Sequence, residues 1–81
     1  MELITILNDK IKELHVTVYK TTVELDKDKN LILKVYITGE NKIDFDTLST
    51  VSTIISATLQ IDCKDLIPEN YILQVLTNKG N

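Results

Sequence analysis

An acidic chain of 81 residues, with a net charge of −3 and lysine as its only strongly basic residue type, is poorly equipped to grip nucleic acid. Tight phosphate binding favours clustered Lys/Arg surfaces and especially arginine. A hydrophobic fraction of 43% with 26% charged residues argues against disorder and a membrane span, and predicts one soluble folded domain over residues 1–81. The single cysteine excludes an internal disulfide, and the N-terminus lacks a signal-peptide pattern, so we expect a cytoplasmic protein.

The N-terminal segment, Glu2 to Leu14, predicts an amphipathic helix. Its apolar residues recur at the spacing of one helical stripe: Leu3, Ile4, Leu7, Ile11 and Leu14. No glycine or proline follows, so we expect the β-branched run from Val16 to end the helix.

The run from Val16 to Leu25 predicts a strand, because β-branched and aromatic residues dominate it. Alternation places four side chains on one face: Tyr19, Thr21, Val23 and Leu25. Val16 and Val18 have the opposite parity, so we expect a β-bulge or a late strand start near Lys20.

The stretch from Asn30 to Thr38 predicts a strand that is apolar on both faces and therefore lies inside a sheet. Leu31, Leu33, Val35 and Ile37 share one face, while Ile32 and Tyr36 largely fill the other. The polar segment Asp26 to Asn30 is long enough for a hairpin loop, so we expect these two strands to be antiparallel neighbours.

A second helix is predicted from about Phe45 to Gln60, with Asp44 as its N-cap. Its apolar stripe consists of residues at helical spacing: Phe45, Leu48, Val51, Ile55 and Leu59. The rest of its surface carries no charge between Asp46 and Asp62. We interpret this mainly as a neutral solvated face, with a partner-docking surface as the alternative.

A third strand is predicted over Tyr71 to Thr77, which completes the order αββαβ. We expect an α+β two-layer domain in which two helices cover one face of a three-stranded sheet, with the last two strands parallel. The predicted core consists of apolar residues from all the elements but the first strand: Leu7, Ile11, Leu33, Val35, Leu48, Val51, Ile55, Leu73 and Val75.

The inventory of reactive side chains is small. His15 and Cys63 could form a nucleophilic pair, but no orienting partner is evident, and two ligands do not make a zinc site. The Asp26/Asp28 and Asp44/Asp46 pairs lack the glycine and distal glutamate of a calcium loop. Two glycines in the whole chain leave no phosphate-binding loop. We therefore expect no catalytic residue, metal or cofactor.

Three segments resemble the N-terminal domain of the RimP ribosome maturation factors. They are LILKVYI (31–37), IDFDTLSTVSTIIS (43–56) and IDCKDLIPENYILQV (61–75). The last is the most specific, because several of its residues fall where the family has the same types: Asp62, Asp65, Ile67, Pro68, Tyr71, Leu73 and Val75. The segment Leu76 to Asn81 lacks the Ser and Pro that lead into the family's second, SH3-like domain, so we expect an isolated domain or a reduced single-domain relative.

This resemblance implies a non-enzymatic assembly factor that binds the maturing small ribosomal subunit through a ribosomal protein and nearby 16S rRNA. The acidic charge favours a basic ribosomal protein as the direct partner. Candidate contact residues are carboxylates around the last linker and the neighbouring neutral helix face: Asp62, Asp65, Glu69, Thr50, Thr53 and Ile54. Alternatives are a KH-like RNA-binding module, disfavoured by the missing GXXG loop, and a structural dimerisation domain that uses an exposed strand edge.

Overall fold

The computed structural model describes residues 3–40, 42–65, 67 and 70–77, and the structural statements that follow concern these residues. The elements are α1 (Leu3–Ile11), a 3₁₀ turn (Lys12–Leu14), β1 (Val16–Leu25), β2 (Leu31–Gly39), α2 (Phe45–Ile61) and β3 (Ile72–Thr77). The predicted α+β class and αββαβ order are confirmed. No helix in this part of the chain is long and apolar enough to cross a membrane.

Strand β2 is the centre of the sheet, as its two apolar faces predicted. The strand order is β1-β2-β3, with β1 and β2 antiparallel and β2 and β3 parallel. The sequence left open whether β2 and β3 are adjacent, and the structure shows that they are. Residues Ile32 to Ile37 pair with Ile72 to Thr77.

The first helix ends earlier than predicted, at Ile11, and continues as the 3₁₀ turn. His15 then adopts a left-handed conformation (φ 60°, ψ 33°), and its N–H donates to the Lys12 carbonyl over 3.2 Å. Glycine usually supplies this helix-ending geometry. The backbone of a histidine therefore ends the helix, and the β-branched run from Val16 starts the strand.

The predicted bulge in β1 is present, between Val18 and Lys20. The side chain of Asn8 on α1 holds it, because its Nδ2 donates to the Val18 carbonyl (3.0 Å) and its Oδ1 accepts from the Val18 N–H (2.7 Å). The prediction that Tyr19 shares a face of the strand with Thr21, Val23 and Leu25 is wrong for Tyr19. Its ring lies 6.2 Å from that of Tyr36, on the face of the sheet without helices, since the bulge shifts the alternation at this residue.

Both helices pack on one face of the sheet. The buried cluster draws on every element but β3: Leu7, Ile11, Val16, Val18, Leu33, Val35, Ile37, Ile43, Val51, Ile55, Leu59 and Cys63. Three predicted core residues, Leu48, Leu73 and Val75, are only half-buried and pack against this cluster. Leu73 and Val75 belong to β3, which has a strand neighbour on one side only.

The apolar residue that is buried at the start of α2 is not the predicted one. Phe45 was placed in the apolar stripe, but it is 81% exposed, whereas Ile43 is buried. Ile43 precedes the N-cap and packs in the same cluster as Leu48, the fourth residue of the helix. These are the two positions of a hydrophobic staple, which fixes how the chain enters a helix. Ile43 therefore takes the core position expected of Phe45.

Asp44 is the N-cap of α2, as predicted, and its carboxylate accepts from the Thr47 N–H over 2.8 Å. This hydrogen bond from the Thr47 backbone lowers the pKa of Asp44 below 3.8. A carboxyl group with a depressed folded-state pKa stabilises the fold above its unfolded-state pKa, and the effect is lost as the pH falls through the folded-state value. We therefore expect Asp44→Ala to lower the melting midpoint at pH 7, with the difference from the native chain vanishing in acid.

Thermal unfolding followed by circular dichroism between about pH 2 and pH 7 measures this difference. Asp44→Asn is the matched control, since an amide oxygen also caps a helix but does not titrate. A gap between the native chain and Asp44→Ala that stays constant across this range would show that the carboxylate cap is not its cause.

Candidate functional site

The candidate contact residues fall into two groups along α2. Asp62 and Asp65 lie at and beyond its C-terminal end, while Thr50, Thr53 and Ile54 lie in its middle. At about 1.5 Å of rise per residue, Thr53 and Asp62 are roughly 13 Å apart along the helix axis. Glu69 lies outside the described residues. A partner that contacts both groups would extend along about half of the helix.

The carboxylate group at the end of α2 is only partly available. Asp62 is the C-cap residue, and its Oδ2 lies 3.7 Å from Nζ of Lys10 on α1, with both side chains nearly half exposed. Such a surface ion pair is weak and screened by salt, so a cationic partner could replace Lys10. Asp65 is exposed in the following turn, and the described residues hold no ion pair to it. Asp65 is therefore the freer of the two acidic groups.

The middle of α2 offers mostly hydroxyl groups. Thr50 and Thr53 are exposed, and the Thr53 hydroxyl donates to the Ser49 carbonyl over 3.0 Å, so it is satisfied within its own helix. Ile54 is half-buried and packs against the core, so little of it is left for a partner. Thr50 and Thr53 thus form an exposed, uncharged ridge, and Ile54 exposes only part of its side chain beside it.

A shallow groove between α2 and β3 was not predicted. It has a volume of about 500 Å³ and is lined by Ser52, Thr53, Ser56, Ala57, Gln60 and Leu73, none of them charged. The signal in the sequence is the repeat of small or uncharged residues at four-residue spacing through Ser52, Ser56 and Gln60. The groove could not be predicted from this repeat, because the sequence does not show which element faces these residues.

A second cleft, with a volume of about 590 Å³, lies where α1 meets the sheet. It contains His15, whose Nδ1 is 3.0 Å from Oε2 of Glu40, with both side chains about three-quarters exposed. An imidazole beside a carboxylate can transfer protons, but a nucleophile or bound electrophile is also needed for catalysis. The lining offers Thr17, Thr38 and Lys12, and no hydrogen bond joins any of them to His15 through a side chain among the described residues.

Cys63 does not complete a nucleophilic pair with His15. It is fully buried in the core after α2, its backbone N–H donates to the Thr58 carbonyl, and burial raises the pKa of its thiol, with a smaller contribution from the Asp62 charge. A buried thiol with a raised pKa is a poor nucleophile.

The aspartate pairs have structural roles. The Asp26 carboxylate accepts from the N–H groups of Asp28 and Asn30, each at 2.9 Å, and these bonds, chiefly the one from Asn30, lower its pKa. It organises the hairpin loop, in which Lys29 has a φ of 66°. Among the residues described by the structure, no group of three or more His, Cys, Asp or Glu side chains could hold a metal ion.

Comparison with known proteins identifies a domain family and assigns no site residues. The RimP N-terminal domain family model matches residues 6–77. No curated protein sequence matches the chain significantly. The matched range contains all three strands, α2 and most of α1, and it includes the linker whose residues carried the resemblance. The chain belongs to the RimP family of ribosome maturation factors through this N-terminal domain.

Proposed function

We propose that this chain assists maturation of the small ribosomal subunit by binding rather than catalysis, with a basic ribosomal protein as its direct partner. The observation that carries the proposal is the family match across residues 6–77. The more specific parts of the proposal, namely the small subunit and the basic ribosomal protein, are supported by the charge and the surface chemistry of the domain.

The charge distribution favours a protein partner over RNA. The chain has a net charge of −3, and Asp62 and Asp65 place two carboxylates at one end of α2. Complementary charges steer encounter and select partners, so this end of α2 suits a lysine- or arginine-rich protein surface. The net negative charge of the chain also disfavours RNA backbone, although Lys10 and Lys64 partly balance the two carboxylates at this end.

A binding role also fits the reactive groups of the domain. The His15–Glu40 pair is largely exposed, and the Cys63 thiol is buried with a raised pKa. Neither arrangement provides an activated nucleophile with a positioned base. The carboxylates at the end of α2 act in this proposal by charge alone.

Reversing the charge of Asp65 should weaken binding to the basic ribosomal protein. We expect Asp65→Lys to lower the association rate roughly threefold to tenfold at low salt and to flatten its dependence on ionic strength, because an exposed charge at an interface rim acts mainly on encounter. Stopped-flow or surface-based kinetics at several salt concentrations measures the effect, with co-sedimentation on immature and mature small subunits as the second readout.

Asp28→Lys is the matched control, because it makes the same change of charge in the exposed hairpin loop, away from α2. It should leave the salt dependence closer to that of the native chain. If Asp65→Lys instead strengthens binding to small subunits, the domain faces rRNA and the acidic-contact proposal is wrong. Equal effects of the two variants would mean that only net charge matters.

A further inference from the structure

The two edges of the sheet differ in how they are protected. The β1 edge is interrupted by the bulge, has its Val18 backbone groups bonded to Asn8, and carries Lys20 and Glu24. Bulges and charges of this kind hinder the addition of another strand. Strand β3, at the opposite edge, pairs regularly with β2 along its whole length and contains no charged residue. Among the described residues, no strand pairs with the outer side of β3, which leaves a row of backbone donors and acceptors there.

The apolar side of β3 is also incompletely covered. Leu73 and Val75 face the helices but remain half-buried, whereas their partners Leu33 and Val35 on β2 are 1% and 0% exposed. On the outer face of the sheet, Ile72 is 46% exposed. The adjoining surface of α2 is the uncharged groove described above. Another strand placed beside β3 would cover these side chains without burying a charge.

The sequence of β3 is symmetric in character about Gln74. Ile72 and Leu73 precede it, and Val75 and Leu76 follow it. In an antiparallel pair of two such strands centred on Gln74, Leu73 lies opposite Val75, and Ile72 lies opposite Leu76. Paired residues share a face of the sheet, so this register keeps the helices of both copies on the same side. Gln74, the only polar residue among these five, then lies directly opposite Gln74 of the second copy.

We propose that β3 pairs antiparallel with β3 of a second copy of this chain, about a twofold axis at Gln74. The result is one continuous sheet with four helices on one face. A twofold axis brings each group near its own copy, so like charges close to the axis would repel; β3 itself carries no charge, and Lys34, beside Gln74 on β2, is paired with Glu24. The α2 helices approach each other through serine, threonine and alanine side chains.

The contact is small, and the dimer is correspondingly weak. Six residues at about 3.3 Å each give an edge roughly 20 Å long. An interface of this length, formed by the sheet and the helix layer of each copy, buries about 1,000 Å². This area lies near the low end of the range for specific interfaces. Interfaces at the low end of this range are mostly weak or transient, so we expect association at high protein concentration.

Charge substitutions at Gln74 test the proposal. Sedimentation equilibrium of the native 81-residue chain, from about 10 µM to about 1 mM, should show a reversible dimer. Gln74→Lys and Gln74→Glu should each weaken it at least tenfold, because side chains directly opposite across an antiparallel pair are about 5 Å apart at Cβ. An equimolar mixture of the two variants should recover the dimer, since lysine then faces glutamate.

The mixture also distinguishes loss of the interface from loss of the fold, because an unfolded variant could not recover association. Thr17→Lys and Thr17→Glu make the same changes on an exposed residue of β1 and should leave the dissociation constant unchanged. A native chain that stays monomeric at about 1 mM overturns the proposal. So does a mixture that associates no better than the separate variants, or an equal effect of the Thr17 variants.

Discussion

Replacing Ile55 by alanine should lower the free energy of unfolding by about 2 to 5 kcal/mol, because the substitution removes buried methylene and methyl groups and leaves a cavity. Ile55 is fully buried in the cluster between α2 and the sheet. A domain of this length has a total stability of roughly 4 to 12 kcal/mol, so the loss threatens folding itself. Urea unfolding followed by circular dichroism measures the change through the transition midpoint.

Ile61→Ala is the matched control for this substitution. It makes the same chemical change in the same helix, but Ile61 is 72% exposed. We expect a change within about 0.5 kcal/mol, as for most surface substitutions. If Ile55→Ala and Ile61→Ala shift the midpoint equally, α2 does not face the sheet in the way described.

The second large effect is expected at Asn8. Its side-chain amide forms two hydrogen bonds to the backbone of Val18 at the bulge, and the site is partly buried. Asn8→Ala leaves both backbone groups without these partners, at a cost of about 1 to 3 kcal/mol. The measurement is again urea unfolding, complemented by amide hydrogen exchange at Val18, which should become faster.

Asn8→Asp separates the hydrogen-bond pattern from the shape of the side chain. The introduced carboxylate can accept from the Val18 N–H, but it cannot donate to the Val18 carbonyl and opposes it with like partial charge. We expect destabilisation at pH 7 at least as large as that of Asn8→Ala, decreasing in acid where a protonated carboxyl group can donate. Native stability of Asn8→Asp at pH 7 would contradict the two-bond description.

The bulge shows which parts of this fold the sequence could predict. The change of parity between Val18 and Lys20 is a local pattern, so the bulge was predicted correctly. The residue that holds it, Asn8, lies on another element, and a contact between a helix and a strand has no local signature. The predicted facing of Tyr19 failed for a different reason, because alternation cannot be continued through a bulge.

The helices and the core show a similar division. The N-cap at Asp44 followed from residue type and position, whereas the burial of Ile43 in place of Phe45 depends on how the chain enters the helix. Leu73 and Val75 have the right pattern for a core strand, but the strand order that leaves them at an edge is set by tertiary packing.

The site was less predictable than the fold. The resemblance, carried most specifically by the segment 61–75, led to the family, and the family model confirms it. The contact surface stays a prediction, because an exposed carboxylate such as Asp65 has the same local pattern whether it binds a partner or only faces water.

Strand β2 makes two pairings that differ greatly in range, and this has a consequence for the order of folding. Its pairing with β1 closes a short loop from Leu25 to Leu31, whereas its pairing with β3 brings Ile32 to Ile72 across the whole of α2. The entropy of closing a loop grows with its length, and distant pairings slow folding. We therefore expect the hairpin to form early and β3 to dock last, so that a chain still being synthesised keeps one edge of its central strand unpaired until β3 is available.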